Sequence, residues 1–179
     1  MSSDIKPVVN LVAFFHEELT TAMRDLGVSA SEETEAYLVH LLDSFAVPDP
    51  IAIGDVGFDR PAAVMLEEAV TSNGERRIEI YRRLGDSSLY SCGFFEERLA
   101  RRSMDPVYFE RMGRSAYQSL SDLMNFKKPG NVFEVIFREL AAKFDEFVRA
   151  FRQVGKVFRP MGQFELSQFA TTSIWTMPD

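Results

Sequence analysis

Five arginines cluster in the middle of the sequence, on both sides of a predicted turn between two helices. They are Arg98, Arg101, Arg102, Arg111 and Arg114. Asp105 can cap the helix that follows the turn, and the free backbone N–H groups of that helix would point toward the same region. The pattern predicts a binding site for a small anion such as a phosphate or a nucleotide. The alternative is that the arginines pair with nearby glutamates on the surface.

Few other side chains offer catalytic or metal-binding chemistry. Cys92 is the single cysteine, and a nucleophilic thiol would need a nearby base, which no histidine in its half of the chain supplies. We therefore interpret Cys92 as a buried structural residue. His16 and His40 have acidic neighbours, but neither follows a glutamate by three residues as a di-iron helical bundle requires. We expect no catalytic residue, no bound metal and no cofactor.

Helical periodicity runs through most of the chain and predicts the elements that must position these residues. Helices are predicted from Pro7 to Leu26, from Ser29 or Ser31 to Pro48, from Pro61 to Ser72, from Glu75 to about Ser91, over a short stretch at 94–103, from Asp105 to Met124, and from Asn131 to Gly155. The phenylalanine-lined last helix is expected to be central. Residues 47–61 predict a long connection that is either a surface crossover or a functional loop. The predicted fold is all-α, a single bundle-like domain of six or seven helices over residues 1–158.

Small residues occupy the apolar stripes of two predicted helices, where bulky side chains are usual. Gly85 and Ser88 lie mid-stripe in one, and Gly113 and Ala116 in the other. Such residues either let two helices approach closely or form the floor of a pocket, and we predict the close crossing. Asp86 falls on the opposite side of its helix and is predicted to pair with Arg82 or Arg83 on the surface.

Several short motifs in this part of the chain resemble an uncharacterised family of bacterial all-α proteins. The motifs are Leu84-Gly85-Asp86, Leu89-Tyr90, Gly93-Phe94-Phe95, Asp105, Tyr108-Phe109, Met112-Gly113 and Ala116-Tyr117. The resemblance covers residues 78 to 121. In that family the second residue of the aromatic pair is often tyrosine, so Phe109 implies that a hydroxyl there is dispensable. The resemblance implies a bacterial source and no mechanism.

Charge and composition restrict the class of protein. Residues 1 to 75 carry three basic against fourteen acidic side chains, whereas residues 76 to 114 carry nine against six. This uneven charge argues against a nucleic-acid binder, which would present a uniformly basic face. No apolar run approaches the ~18 residues of a membrane span, and the start does not resemble a secretory signal. With a single cysteine, the sequence favours a cytoplasmic protein that does not bind membranes.

Residues 159–179 follow the last helix and are unusually apolar for a terminal segment. Phe164, Phe169 and Trp175 are the expected anchors of this tail, which must dock either on its own bundle or on a second subunit or partner. The missing catalytic motifs and this tail predict a non-catalytic regulatory or scaffolding protein that acts through protein contacts. The alternative is a helical sensor that binds a small anion near the arginine cluster.

Overall fold

The computed structural model describes residues 10–46, 62–94 and 105–158, and these ranges contain seven α-helices and no β-strand. The helices are α1 (Leu11–Leu26), α2 (Glu32–Ala46), α3 (Ala62–Thr71), α4 (Gly74–Phe94), α5 (Pro106–Lys127), α6 (Val132–Ala142) and α7 (144 to 158). Their buried side chains form one hydrophobic core. The all-α, bundle-like fold is confirmed. The predicted start at Pro7, the end at Pro48, the connection at 47–61 and the short helix at 94–103 lie wholly or mostly outside the described residues.

Several helix ends lie where the capping residues predicted them. Gly27 ends α1 in the left-handed conformation, with φ of 66°, which glycine adopts without steric cost. Ser31 begins α2, where its hydroxyl accepts a hydrogen bond from the Thr34 N–H at 3.3 Å. Asp105 caps α5 by accepting from the Val107 N–H at 2.9 Å. These side chains satisfy backbone N–H groups that have no partner within the helix.

The most completely enclosed helix segment among the described residues belongs to α4, whereas the sequence placed the last helix at the centre. From Leu84 to Phe94 every residue of α4 except Asp86 is buried, so this half of the helix is enclosed on all sides. The predicted helix from Asn131 to Gly155 is divided at Lys143 into α6 and α7. Most of its phenylalanines are buried as expected, but Phe133 is half exposed.

The close crossing predicted from the small residues joins α4 and α5. A Cβ atom built on Gly113 would lie 2.8 Å from Cβ of Ser88 and 2.5 Å from the Phe144 ring, so only glycine fits there. Gly85 approaches the ring of Tyr117 instead of Gly113. Gly93 lies within α4, which continues to Phe94, and a Cβ atom built on Gly93 would lie 2.4 Å from Cβ of Phe151.

The start of α2 is fixed by a carboxylate from α6. Glu139 accepts hydrogen bonds from the Ser31 N–H at 3.1 Å and from the Ser31 hydroxyl at 2.8 Å. Partial burial alone would raise the pKa of Glu139, but hydrogen bonds from Thr34, Ser31 and Lys143 together lower it to about 2. The ionised carboxylate therefore stabilises the N-terminal end of α2.

Candidate functional site

Asp86 lies at a junction of three helices, where its carboxylate accepts hydrogen bonds from two tyrosines. The Tyr37 hydroxyl on α2 donates to Oδ1 at 2.8 Å and to Oδ2 at 3.1 Å. The Tyr117 hydroxyl on α5 donates to Oδ1 at 2.7 Å. The prediction that Asp86 makes a surface ion pair was wrong, since α2 covers this side of α4. Arg83 instead pairs with Glu79 at 2.8 Å.

Burial and hydrogen bonding act against each other on the Asp86 carboxyl. Burial raises its pKa, the hydrogen bonds from Tyr117 and Tyr37 and the positive charge of Arg82 lower it, and the net result is about 6. Burial and the Asp86 charge raise the pKa of both tyrosines well above the usual value. The tyrosines therefore remain neutral donors, and Asp86 is the one of the three groups whose charge changes near pH 6.

The motifs that form this junction can be explained by packing. A Cβ atom on Gly85 would lie 2.6 Å from Cε1 of Tyr117, so the glycine leaves room for the ring whose hydroxyl reaches Asp86. Phe137 of α6 orients both tyrosines, because its ring is edge-on to Tyr37 at 5.7 Å and stacked on Tyr117 at 6.1 Å. The Leu84-Gly85-Asp86 motif thus supplies the carboxylate and the space for a ring, and the Ala116-Tyr117 motif supplies the ring and its hydroxyl.

A cavity of about 260 Å³ lies between α2 and α4, beside this junction. Its lining combines charged, polar and apolar side chains: Tyr37, His40, Leu41, Ser44, Phe45, Arg82, Arg83 and Asp86. Oδ1 of Asp86 accepts two short hydrogen bonds, whereas Oδ2 accepts only the longer one from Tyr37. A carboxylate oxygen can accept two hydrogen bonds, so Oδ2 keeps capacity for a further donor.

The cavity brings a serine, a histidine and an aspartate together without making a catalytic triad. The Ser44 hydroxyl donates to the backbone carbonyl of Leu41 at 2.8 Å, so it is not directed at His40. The hydrogen bonds of the Asp86 carboxylate come from tyrosines, whereas the acid of a triad orients the histidine. Among the described residues that line this cavity, the serine is therefore not activated as a nucleophile.

The two histidines line a second concavity, which lies between α1 and α2. His16 and Glu17 come from α1 and His40 from α2, and the volume is about 520 Å³. Within residues 10–46, 62–94 and 105–158, no three His, Cys, Asp or Glu side chains are placed to hold a metal ion. Cys92 is fully buried, as its interpretation as a structural residue requires.

The structure describes only two of the five arginines predicted to bind an anion. Arg111 is exposed on α5, and Arg114 forms an ion pair with Asp145 of α7. Arg98, Arg101 and Arg102 lie outside the described residues, as do the tail anchors Phe164, Phe169 and Trp175. The anion site and the docking of the tail therefore stay predictions.

The Asp86 junction was missed at the sequence level, although a signal for it exists. Tyr37 and Tyr117 both fall in predicted apolar stripes, and a buried tyrosine hydroxyl usually needs a hydrogen-bond partner. Asp86 is the only acid between Leu84 and Phe94, a stretch otherwise made of small and apolar residues and one tyrosine. Pairing Asp86, which has no predicted buried partner, with the hydroxyls of Tyr37 and Tyr117 would have identified the site.

Comparisons with models of known protein families, with curated proteins and with solved structures find no match for this chain. In the part of the chain that the structure describes, no helix has the length and apolar character needed to cross a bilayer.

Proposed function

We propose that this chain is a non-catalytic binding protein and that its small-molecule site is the cavity between α2 and α4. The observation that carries the proposal is the Asp86 carboxylate, which two tyrosines hold in place while its Oδ2 atom keeps a free acceptor position. Fixed polar groups within a partly apolar cavity are typical of ligand sites.

The same geometry supports a regulatory role for the ligand. Asp86 already connects α2, α4 and α5, so a molecule bound to it would also restrict the movement of α2 against α4. A ligand that binds better to one arrangement of these helices shifts the population toward that arrangement. The ligand would in this way control surfaces that lie outside the cavity.

Blocking the cavity tests this proposal. Ser44 is an exposed residue in the lining, so Ser44→Trp should fill the space without disturbing the core. Ser115→Trp on α5 is the matched control, since Ser115 is equally exposed and does not line the cavity. Binding is measured by saturation-transfer NMR with a mixture of amino acids, carboxylic acids, amines and nucleotides.

Compounds that bind the wild-type chain and the Ser115→Trp variant should lose their signals with Ser44→Trp. Signals that persist in the cavity-blocked variant would refute the cavity as the site, and the absence of any signal from the wild-type chain would refute small-molecule binding. Nucleotide signals that disappear only with Arg111→Ala would favour the predicted anion site.

A second candidate function, contact with another protein, is favoured by exposed apolar side chains around the turn between α5 and α6. Phe126 is 90% exposed and Phe133 is 52% exposed, with Val132 close to half exposed. Exposed aromatic side chains of this kind are typical of protein-contact surfaces. Lys128 adds positive charge to the same turn.

We propose a second copy of the chain as the partner at this turn, because the chain carries a surface of opposite charge. Residues 10–46, which form α1 and α2, contain seven acidic side chains and one arginine. Complementary charges would bring this acidic hairpin of one copy to the basic, aromatic turn of another.

Sedimentation velocity over a range of concentrations tests self-association. Phe126→Ser should shift the protein toward monomer, whereas Val107→Ser, a control at an exposed position at the start of α5, should leave the mass distribution unchanged. A wild-type chain that stays monomeric at all concentrations would rule out the second copy as partner.

A further inference from the structure

Two opposite charges line the α2–α4 cavity without pairing with each other. Arg82 precedes Asp86 by one helical turn on α4, and both line the cavity. The positive charge of Arg82 acts on the Asp86 carboxylate, but among the described residues Arg82 forms no ion pair and no hydrogen bond. A guanidinium group presents five donors in a plane, so Arg82 can bind a carboxylate through two hydrogen bonds.

Leu41 and Phe45 form the apolar part of the remaining wall, which also contains Tyr37, His40, Ser44 and Arg83. Leu41 and Phe45 come from one side of α2, and the Phe45 ring is stacked on Tyr90 with centroids 4.6 Å apart. This stacking fixes the orientation of the Phe45 ring, so the apolar wall is formed before any ligand binds. The volume of about 260 Å³ lies below the roughly 300–1,000 Å³ of sites for drug-sized ligands, which favours a small occupant.

Building on the proposed binding function, we infer that the ligand is a small zwitterion, with an ammonium and a carboxylate group on one carbon and an apolar substituent. The ammonium group donates to Oδ2 of Asp86. The carboxylate accepts from the guanidinium group of Arg82. The apolar substituent packs against Leu41 and Phe45. A free apolar α-amino acid has this chemistry.

Ligands with a single charge fit the cavity less well. A simple anion would bind Arg82 but would be repelled by ionised Asp86, and a simple amine would bind Asp86 but face the positive charge of Arg82. The cavity therefore discriminates by the combination of charges.

The test compares leucine with two analogues that each lack one charged group. Isothermal titration calorimetry of the full chain at pH 7.5 is carried out with L-leucine, with 4-methylpentanoate, which lacks the amine, and with 3-methylbutylamine, which lacks the carboxylate. We expect leucine to bind at least about tenfold more tightly than either analogue, since each analogue leaves either Asp86 or Arg82 without an oppositely charged partner.

Variants of the two charged residues extend the test. Arg82→Gln removes an exposed side chain, so the variant should fold, and it should weaken leucine binding about tenfold while leaving 3-methylbutylamine unaffected or bound more tightly. Asp86→Asn should weaken leucine binding similarly. Arg149→Gln, which removes an exposed positive charge on α7, is the control and should bind leucine like the wild-type chain.

The outcomes separate this inference from the proposed function. If an analogue with one charge binds as tightly as leucine, and Ser44→Trp abolishes its binding, the zwitterion is refuted and the cavity remains the site. If the Arg82→Gln variant binds leucine as tightly as the Arg149→Gln variant does, the assigned contact between Arg82 and the ligand carboxylate is wrong. If none of the three probes binds, the zwitterion is refuted, and whether the cavity is a site then depends on the NMR experiment with the wider mixture.

Discussion

Replacing Gly85 with alanine tests the packing that brings Tyr117 to Asp86. The new Cβ atom would lie 2.6 Å from Cε1, 2.8 Å from Cδ1 and 3.0 Å from Cζ of the Tyr117 ring. Cβ atoms in proteins essentially never lie this close to a non-bonded heavy atom, so the Tyr117 ring must move. Tyr117 is completely buried, which leaves the ring no free space, and a displaced ring also lengthens the 2.7 Å hydrogen bond to Asp86.

The expected magnitude follows from three contributions. Overpacking a core costs about 1–3 kcal/mol. Weakening the hydrogen bond to Asp86 costs about 1 kcal/mol more. Alanine is favoured over glycine inside a helix by up to ~1 kcal/mol, which offsets the second contribution. Gly85→Ala should therefore lower the free energy of unfolding by about 1–3 kcal/mol in total.

Urea denaturation followed by circular dichroism measures this change, with Gly155→Ala as the matched control. At Gly155 the new Cβ atom would lie 3.2 Å from Cδ1 and 3.4 Å from Cε1 of Phe94, so a small adjustment accommodates it. The control should be within ~1 kcal/mol of the wild-type chain. If Gly85→Ala is stabilised by the helix propensity of alanine alone, the Tyr117 ring does not occupy the assigned position.

Two further predictions concern carboxyl groups whose pKa values are shifted in opposite directions. Folding raises the pKa of Asp86 from 3.8 to about 6, so the stability of the wild-type chain relative to Asp86→Asn should be highest below pH 4 and fall as the pH rises to about 6. At ~1.36 kcal/mol per pKa unit the decline is at most about 3 kcal/mol, and urea denaturation of both chains at a series of pH values measures it. A constant difference would mean that the carboxyl is not desolvated. Folding lowers the pKa of Glu139 from 4.5 to about 2, so the advantage of the wild-type chain over Glu139→Gln should be full above pH 4.5 and disappear as the pH falls toward 2. The same pH series checks this, and an advantage that grows toward acid would contradict it.

Local features of the fold were predictable because they depend on neighbours in the sequence. The helix boundaries at Gly27, Ser31 and Asp105 are set by the backbone conformation or the side chain of the capping residue itself, which a short stretch of sequence reveals. The close approach of α4 and α5 was also predictable, because Gly113 marks a place where a larger side chain has no space.

The candidate site was not predictable in the same way, because it depends on how helices surround one another. A helical projection assigns one apolar face and one solvent face, and Asp86 falls on the latter. In the structure α2 covers that face, so Tyr37 reaches an acid 49 positions away in the sequence. The projection likewise assigned the central position to the helix richest in phenylalanine, whereas the small side chains of α4 let neighbours surround it on all sides.

The hydrogen bonds that Ser31 donates to Glu139 have a consequence for how the chain folds during its synthesis. The two residues are 108 positions apart. At a synthesis rate of about 5–20 residues per second, Glu139 is added roughly 5–20 s after Ser31. During that interval α2 has its own serine cap but lacks the carboxylate that fixes its start. The Lys143 ammonium, which donates to the Ser29 carbonyl at 2.6 Å, is added later still. The acidic α1–α2 hairpin thus gains these hydrogen bonds only after most of the chain has been synthesised. A chain that ends before α6 should therefore lack the contacts that Glu139 and Lys143 make with the start of α2.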